Sequence, residues 1–228
     1  MKSDFTVKWL RRTAIASYSV GVYTFISAAA VYVMASSIAS AIVYGGMTFQ
    51  QAVEPMIPQL TIVDAVGTAT WLIFALGLMK IGQSHGSSLV QLTGFLLMIS
   101  PILTVALAPL SLSSTTLSIV GGTIVQTVDP FAAAVNSLKD LVTLVAYIML
   151  VVSAFIMNGK SGIGAYNVAG FVVIIGLFVG FVVPIGIIIL GIALSLDASK
   201  RKAELTPHLN EADEDRKNQL LSRGMMKP

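Results

Sequence analysis

Residues 13–196 carry only seven charged side chains, Glu54, Asp64, Lys80, Asp129, Lys139, Asp140 and Lys160, out of 25 in the whole chain. The longest uncharged stretches are far longer than the segment needed to cross a hydrocarbon layer about 30 Å thick, for which about 20 residues of helix suffice. Unpaired peptide groups are costly in lipid, and a helix satisfies its own. The chain is therefore read as an all-α integral membrane helical bundle. Composition agrees: 55% of the residues are hydrophobic and 11% are charged, against about 25% charged in ordinary soluble domains.

Five spans are expected. The first lies within Thr13–Tyr44 and is stopped by Gly45-Gly46, with Tyr18 and Tyr44 placed for the two interfaces. The second runs from Leu60 to Met79, and a polar turn through Gly82, His85 and Gly86 follows it. The third, Leu89–Leu110, contains Pro101, where a kink is expected. Asp129-Pro130 reads as an N-cap followed by proline at the first helical position, opening a helix whose membrane part is Leu141–Met157. The last span is Tyr166–Leu196.

Residues 111–128 are uncharged but rich in Ser and Thr. Two β-prone runs, 116–120 and 123–128, flank Gly121-Gly122, which is the spacing of a two-residue hairpin. A small extramembrane β-hairpin is expected there, with a polar sixth span as the alternative. The count matters for orientation. Five spans place Arg11-Arg12, Lys80 and Lys160 on one side, as the positive-inside rule asks, but send Lys200-Arg201-Lys202 to the other. Six spans rescue the tail and misplace Lys160. On either count the N-terminus is expected in the cytoplasm of a cell bounded by this membrane. Residues 1–196 form one transmembrane domain, and 197–228 form a polar tail with a short helix near 211–221.

Few residue types for chemistry are present. The chain has no cysteine, which excludes disulfides and thiolate metal sites, and its two histidines, His85 and His208, lie outside the spans. Gly159-Lys160-Ser161 resembles the end of a phosphate loop, but Ala154 stands where the first glycine belongs and no strand precedes it. No enzyme, cofactor or nucleic-acid partner is expected. The positive N-terminal flank precedes a run too long for a cleaved signal, so the first span is expected to stay attached.

Asp64, inside the second span, is the one candidate ion or proton site. Lys139 and Asp140 are adjacent and so diverge on a helix, which argues against a direct pair and for snorkelling at the interface. Gly176-x-x-x-Gly180 and Ser36-x-x-x-Ser40 each set two small residues on one helix face, where another backbone can approach closely. These faces make a non-catalytic subunit, packed against lipids and other membrane proteins in a larger complex, the leading expectation. A small ion, proton or solute transporter or channel is the alternative. The β-branched, glycine-rich spans suit a prokaryotic source.

Overall fold

The computed structural model describes residues 2–113, 115–120 and 123–222. Its helices are α1 (Lys2–Val43), α2 (Phe49–Val53), α3 (Ile57–His85), α4 (Ser88–Ser113), α5 (Pro130–Ser161), α6 (Ala165–Phe178) and α7 (Val183–Ser222). Five stretches are long and apolar enough to cross a membrane: Asp4–Val43, Gln51–His85, Ser88–Leu107, Pro130–Ser161 and Gly180–Thr206. Four of them correspond to expected spans, although most of the helices run beyond the apolar stretch; the fifth, Gly180–Thr206, takes in only the second part of the expected Tyr166–Leu196.

Local signals explain the boundaries. Asp129 accepts hydrogen bonds from the amides of Phe131 and Ala132 at 2.9 and 3.1 Å, so it caps α5 as its sequence position predicts. Thr48 and Gln51 bond reciprocally at the start of α2, each side chain accepting from the other's amide. Gly86 and Gly162 end α3 and α5 in the left-handed region, at φ 62° and 70°, where a side chain would be strained. α5 therefore continues past the expected stop at Asn158-Gly159. Pro101 lies within the continuous helix α4.

The expected last span is not one helix. It breaks after Phe178, makes a single 3₁₀ turn over Gly180–Val182, and returns as α7. Pro184, which has no amide hydrogen to donate, sits in the first turn of α7, where none is needed. Gly176 allows the return, because a Cβ there would lie 2.6 Å from the Val183 nitrogen. α6, with 14 residues, is about 21 Å long, short of the hydrocarbon thickness of about 30 Å. The tip presents Phe178 and Phe181, 87% and 71% exposed, which suits contact with acyl chains. α7 then runs unbroken through Asp197 to Ser222, so most of the polar tail is a helical extension rather than a separate short helix.

Each helix packs on its neighbour in the order α1, α3, α4, α5, α6, α7, and α7 closes the ring on α1. The buried core comes from helices throughout, so the bundle is all-helical. Residues 115–120 and 123–128 pair as antiparallel strands, Thr115 opposite Val128 and Val120 opposite Thr123. The Gly121-Gly122 turn of the expected hairpin lies outside the described residues, so the hairpin itself and an extramembrane position for it are not shown; the paired segments are not a sixth spanning helix.

The contacts fix which ends lie together. Thr13 meets Gly77 while Tyr23 meets Gly67, and Ala14 meets Gly191 while Gly21 meets Pro184, so α3 and α7 both run antiparallel to α1. Hence the N-terminal end of α1, the α3–α4 turn, the α5–α6 turn and residues 197–202 share one end of the bundle. The break before α7 thus removes the conflict of the positive residues. Arg11, Arg12, Lys80, Lys160, Lys200, Arg201 and Lys202 gather at this basic end, although among the described residues only five helices are long enough to span. Tyr18, expected at an interface, is instead internal, with its hydroxyl 3.2 Å from Ser195 Oγ.

Cysteines replacing Lys8, Gly164 and Lys202 in membranes are expected to react with an impermeant maleimide from one side, and those replacing Met47 and Glu54 from the other. Gly94→Ala is expected to lower the melting temperature in detergent, since its Cβ would lie 2.6 Å from the Ala75 carbonyl oxygen and 2.8 Å from the Met79 amide nitrogen, an overpacking cost of about 1–3 kcal/mol. Gly159→Ala, with nothing within 4 Å, is expected to be neutral or to stabilise by up to about 1 kcal/mol.

Candidate functional site

Two polar arrangements stand out against the apolar bundle. The first binds the basic end together. Asp197, 1% exposed, accepts from Arg201 Nε at 2.7 Å and from the Tyr166 hydroxyl at 3.1 Å. Arg201 also places Nη2 2.7 Å from Nε2 of His85. A guanidinium only donates, so Nε2 accepts, and the network assigns the proton to Nδ1, which donates to the Ile81 carbonyl at 2.9 Å. Lys160 Nζ donates to the His85 carbonyl at 2.7 Å, and Lys200 Nζ to the Ser161 carbonyl at 2.8 Å. The carbonyls that end α3 and α5 are thus satisfied by cations from the neighbouring elements, which also oppose the negative ends of both helix dipoles.

The second arrangement is a half-open cavity of about 400 Å³ between α1, α3, α4 and α5. It exists because the α6–α7 hairpin is short. Gly21 of α1 lies against Pro184 near the tip, whereas the α1 residues lining the cavity are Tyr23, Ser27 and Val31, further along the same helix. No hairpin residue lines it. Six helices therefore close the basic end, and four surround the cavity.

Its walls combine charge with aromatic rings. Asp64, Lys139 and Asp140 line it together with Tyr23, Trp71 and Tyr147. Trp71 and Tyr147 meet edge to face at a centroid distance of 6.1 Å, and Trp71 is braced behind by Phe74 at 5.9 Å. The Tyr23 hydroxyl donates to the Val63 carbonyl, which ties α1 to the turn of α3 that carries Asp64. Ser100 and Thr143 hydroxyls join α4 to α5 at 2.8 Å on the opposite wall.

Asp64 is exposed, and among the described residues it has neither a hydrogen bond nor an ion pair. Lys139 Nζ lies 3.8 Å from Asp140 Oδ1, so the adjacent pair does meet. The long lysine stem bends round to the neighbouring carboxylate, which the divergence of their Cα–Cβ bonds does not prevent. With that pair balanced, Asp64 leaves the lining one negative charge. Asp64 and Lys139 each lie about 31 Å along their helices from His85 and Lys160, a separation close to the thickness of a hydrocarbon layer, while Trp71 sits about 10 Å nearer the basic end along α3.

The other singled-out residues fare differently. Ser36 and Ser40 are exposed on the outer half of α1, their hydroxyls bonded to the carbonyls of Val33 and Ser36 in their own helix. Gly176 and Gly180 share no helix face: α6 ends between them, Gly176 is spent on the hairpin's own return, and a Cβ on Gly180 would meet nothing within 4 Å. Gly159, Lys160 and Ser161 are the last turn of α5 and form no loop round an anion. His85, expected as a solvated turn residue, is part of the polar clamp. The His208 side chain lies outside the described residues.

Sequence reasoning missed Asp197, Arg201 and Tyr166. The Asp-x-x-x-Arg spacing was available as an i,i+4 pair, but Asp197 was read as the first residue of a solvated tail, and burial is visible only in the fold. Removing one partner from a buried ion pair strands the other, at about 3–5 kcal/mol. Arg201→Gln is therefore expected to lower the melting temperature in detergent markedly, and Tyr166→Phe less, by the equivalent of about 1–3 kcal/mol. No family model, no curated protein and no solved structure matches this chain.

Proposed function

We propose that this protein is a non-catalytic multi-pass protein of the cell membrane that takes up a small cation into the cavity between α1, α3, α4 and α5, as a transporter or channel does. The observation that carries the reading is the unpaired Asp64 in the wall of a cavity that a short hairpin stops from below. A single uncompensated carboxylate at the mouth of a low-dielectric cleft concentrates cations there. The rings of Tyr23, Trp71 and Tyr147 offer negative faces to a cation that moves further in. Access to the other side then requires the α6–α7 hairpin to move, and the Asp197 clamp is what holds it in place. The basic end faces the cytoplasm, following the positive-inside rule.

The test is uptake into proteoliposomes, wild type beside Asp64→Asn, with inorganic cations, protons and small ammonium ions as substrates. The variant is expected to slow uptake about tenfold, equivalent to about 1.4 kcal/mol of lost interaction. Equal rates for every cation would retire the proposal.

A second reading keeps the accessory subunit of a larger membrane complex. It rests on the outer half of α1, where Ser36 and Ser40 lie exposed on one face and a second helix backbone can come close. The opposing fact is that most close glycine contacts, at Gly21, Gly67, Gly77, Gly94, Gly186 and Gly191, are used within the chain. Native-gel migration after extraction in mild detergent discriminates: a lone monomer with no copurifying protein counts against this reading.

A further inference from the structure

We infer that the groove between α1 and α3 at the basic end is a binding site for an anionic glycerophospholipid, with Arg12 receiving the phosphodiester and the groove one acyl chain. This site is separate from the cation cavity and does not depend on the function proposed for it.

The groove is a second cavity of about 400 Å³, on the outer face of the bundle. It forms where Gly77 lets Thr13 come close, so that α1 and α3 pack tightly and leave a furrow outside the contact. Its long sides are apolar: Ile15 on α1 faces Ile73 and Leu76 on α3, all three exposed, over a floor that includes buried Ala16. From Trp9 to Ser19 it extends about 15 Å along α1, which is the hydrocarbon depth of one leaflet.

Its mouth is cationic and amphipathic. Side chains on a helix lean toward its N-terminus, and Arg12 accordingly reaches back to put its guanidinium 5.5 Å from the centre of the Trp9 ring. The guanidinium is thereby held at the outer end of the groove, at the level where tryptophan rings settle in a bilayer. The ion pairs among the described residues are Lys139–Asp140 and Arg201–Asp197, so no carboxylate neutralises Arg12. Its donors form a planar fork that fits the oxygens of a phosphodiester. Lys80 lies on the same stripe of α3 as Ile73 and Leu76, one turn nearer the mouth, and spends one hydrogen bond on Gln83 at 3.2 Å. A lipid is the occupant that satisfies both parts, since its negative group meets the cations while its chain fills the furrow. An apolar helix from a partner would leave Arg12 unneutralised.

The full chain is reconstituted into nanodiscs of phosphatidylcholine with a minority of phosphatidylglycerol of the same chain length, then re-extracted in mild detergent, and the retained lipids are measured by mass spectrometry. Wild type is expected to enrich phosphatidylglycerol above the starting ratio. Arg12→Gln is expected to return the ratio to its starting value with an unchanged melting temperature in detergent alone. Ser19→Trp, which fills the exposed groove and leaves the cations in place, is expected to reduce the phosphatidylglycerol retained. Lys202→Gln, which removes a cation elsewhere on the basic end, is expected to leave enrichment intact. Soluble glycerophosphate in excess is expected not to compete. No enrichment by wild type, equal enrichment by Arg12→Gln, or an equal loss with Lys202→Gln would overturn the site. Unaltered retention by Ser19→Trp, or displacement by glycerophosphate, would overturn the role of the groove.

Discussion

The seam between α1 and α7 holds the ring of helices closed, and it depends on two backbones approaching more closely than side chains ordinarily allow. Gly21 receives Ile188 and the Pro184 carbonyl, Gly191 receives the ring of Tyr18, and the Ser17 hydroxyl donates 2.6 Å across to the Ile187 carbonyl. Lipid supplies no hydrophobic drive for helices to associate, so contact area and interhelical hydrogen bonds must hold them. The seam has both, since Tyr18 also meets Ser195 across it. A larger residue at Gly191 would separate α1 from α7, and with it the hairpin from the rest of the bundle.

The remaining polar groups are arranged around that closed ring. Thr93 reaches Ser153 at 2.7 Å and the Met149 carbonyl at 3.0 Å, which joins α4 to α5 in the interior. At the basic end, Asp197 draws Tyr166 of α6 and Arg201 of α7 together, and Arg201 carries the connection on to His85 of α3. The hairpin is therefore fixed at its base and apolar at its tip. Because it stops about 21 Å along its length, the far half of the ring has four walls where the near half has six, and a cavity is the geometric consequence. Position in the fold, rather than any motif, gives Asp64 its interest.

Much of the architecture was legible in the sequence. The five apolar stretches, the cap at Asp129 with Pro130, and the turn at Gly86 follow from hydropathy and from local backbone rules. The last span was misread because Gly176-x-x-x-Gly180 fits two patterns at once, a packing face on an unbroken helix and a break before Pro184. Both patterns have the same residues at the same spacing, and only the contact of Gly176 with Val183 separates them. Lys160 and Lys200 were read as orientation signals, and the fold shows that they also satisfy the carbonyl ends of α3 and α5.

The sequence by itself determined that the chain is built of apolar helices, because its charge-free runs are far longer than the roughly 10 residues of a membrane-crossing strand, and a helix satisfies its own peptide groups in hydrocarbon. It also set where most of them begin and end, since caps and glycine turns act within a few residues. Only the tertiary structure decided which ends come together, that Asp197 is buried and paired while Asp64 is not, and where the cavity lies. Those outcomes depend on contacts such as Tyr18 with Ser195, 177 positions apart, and the local pattern around either residue carries no information about the other.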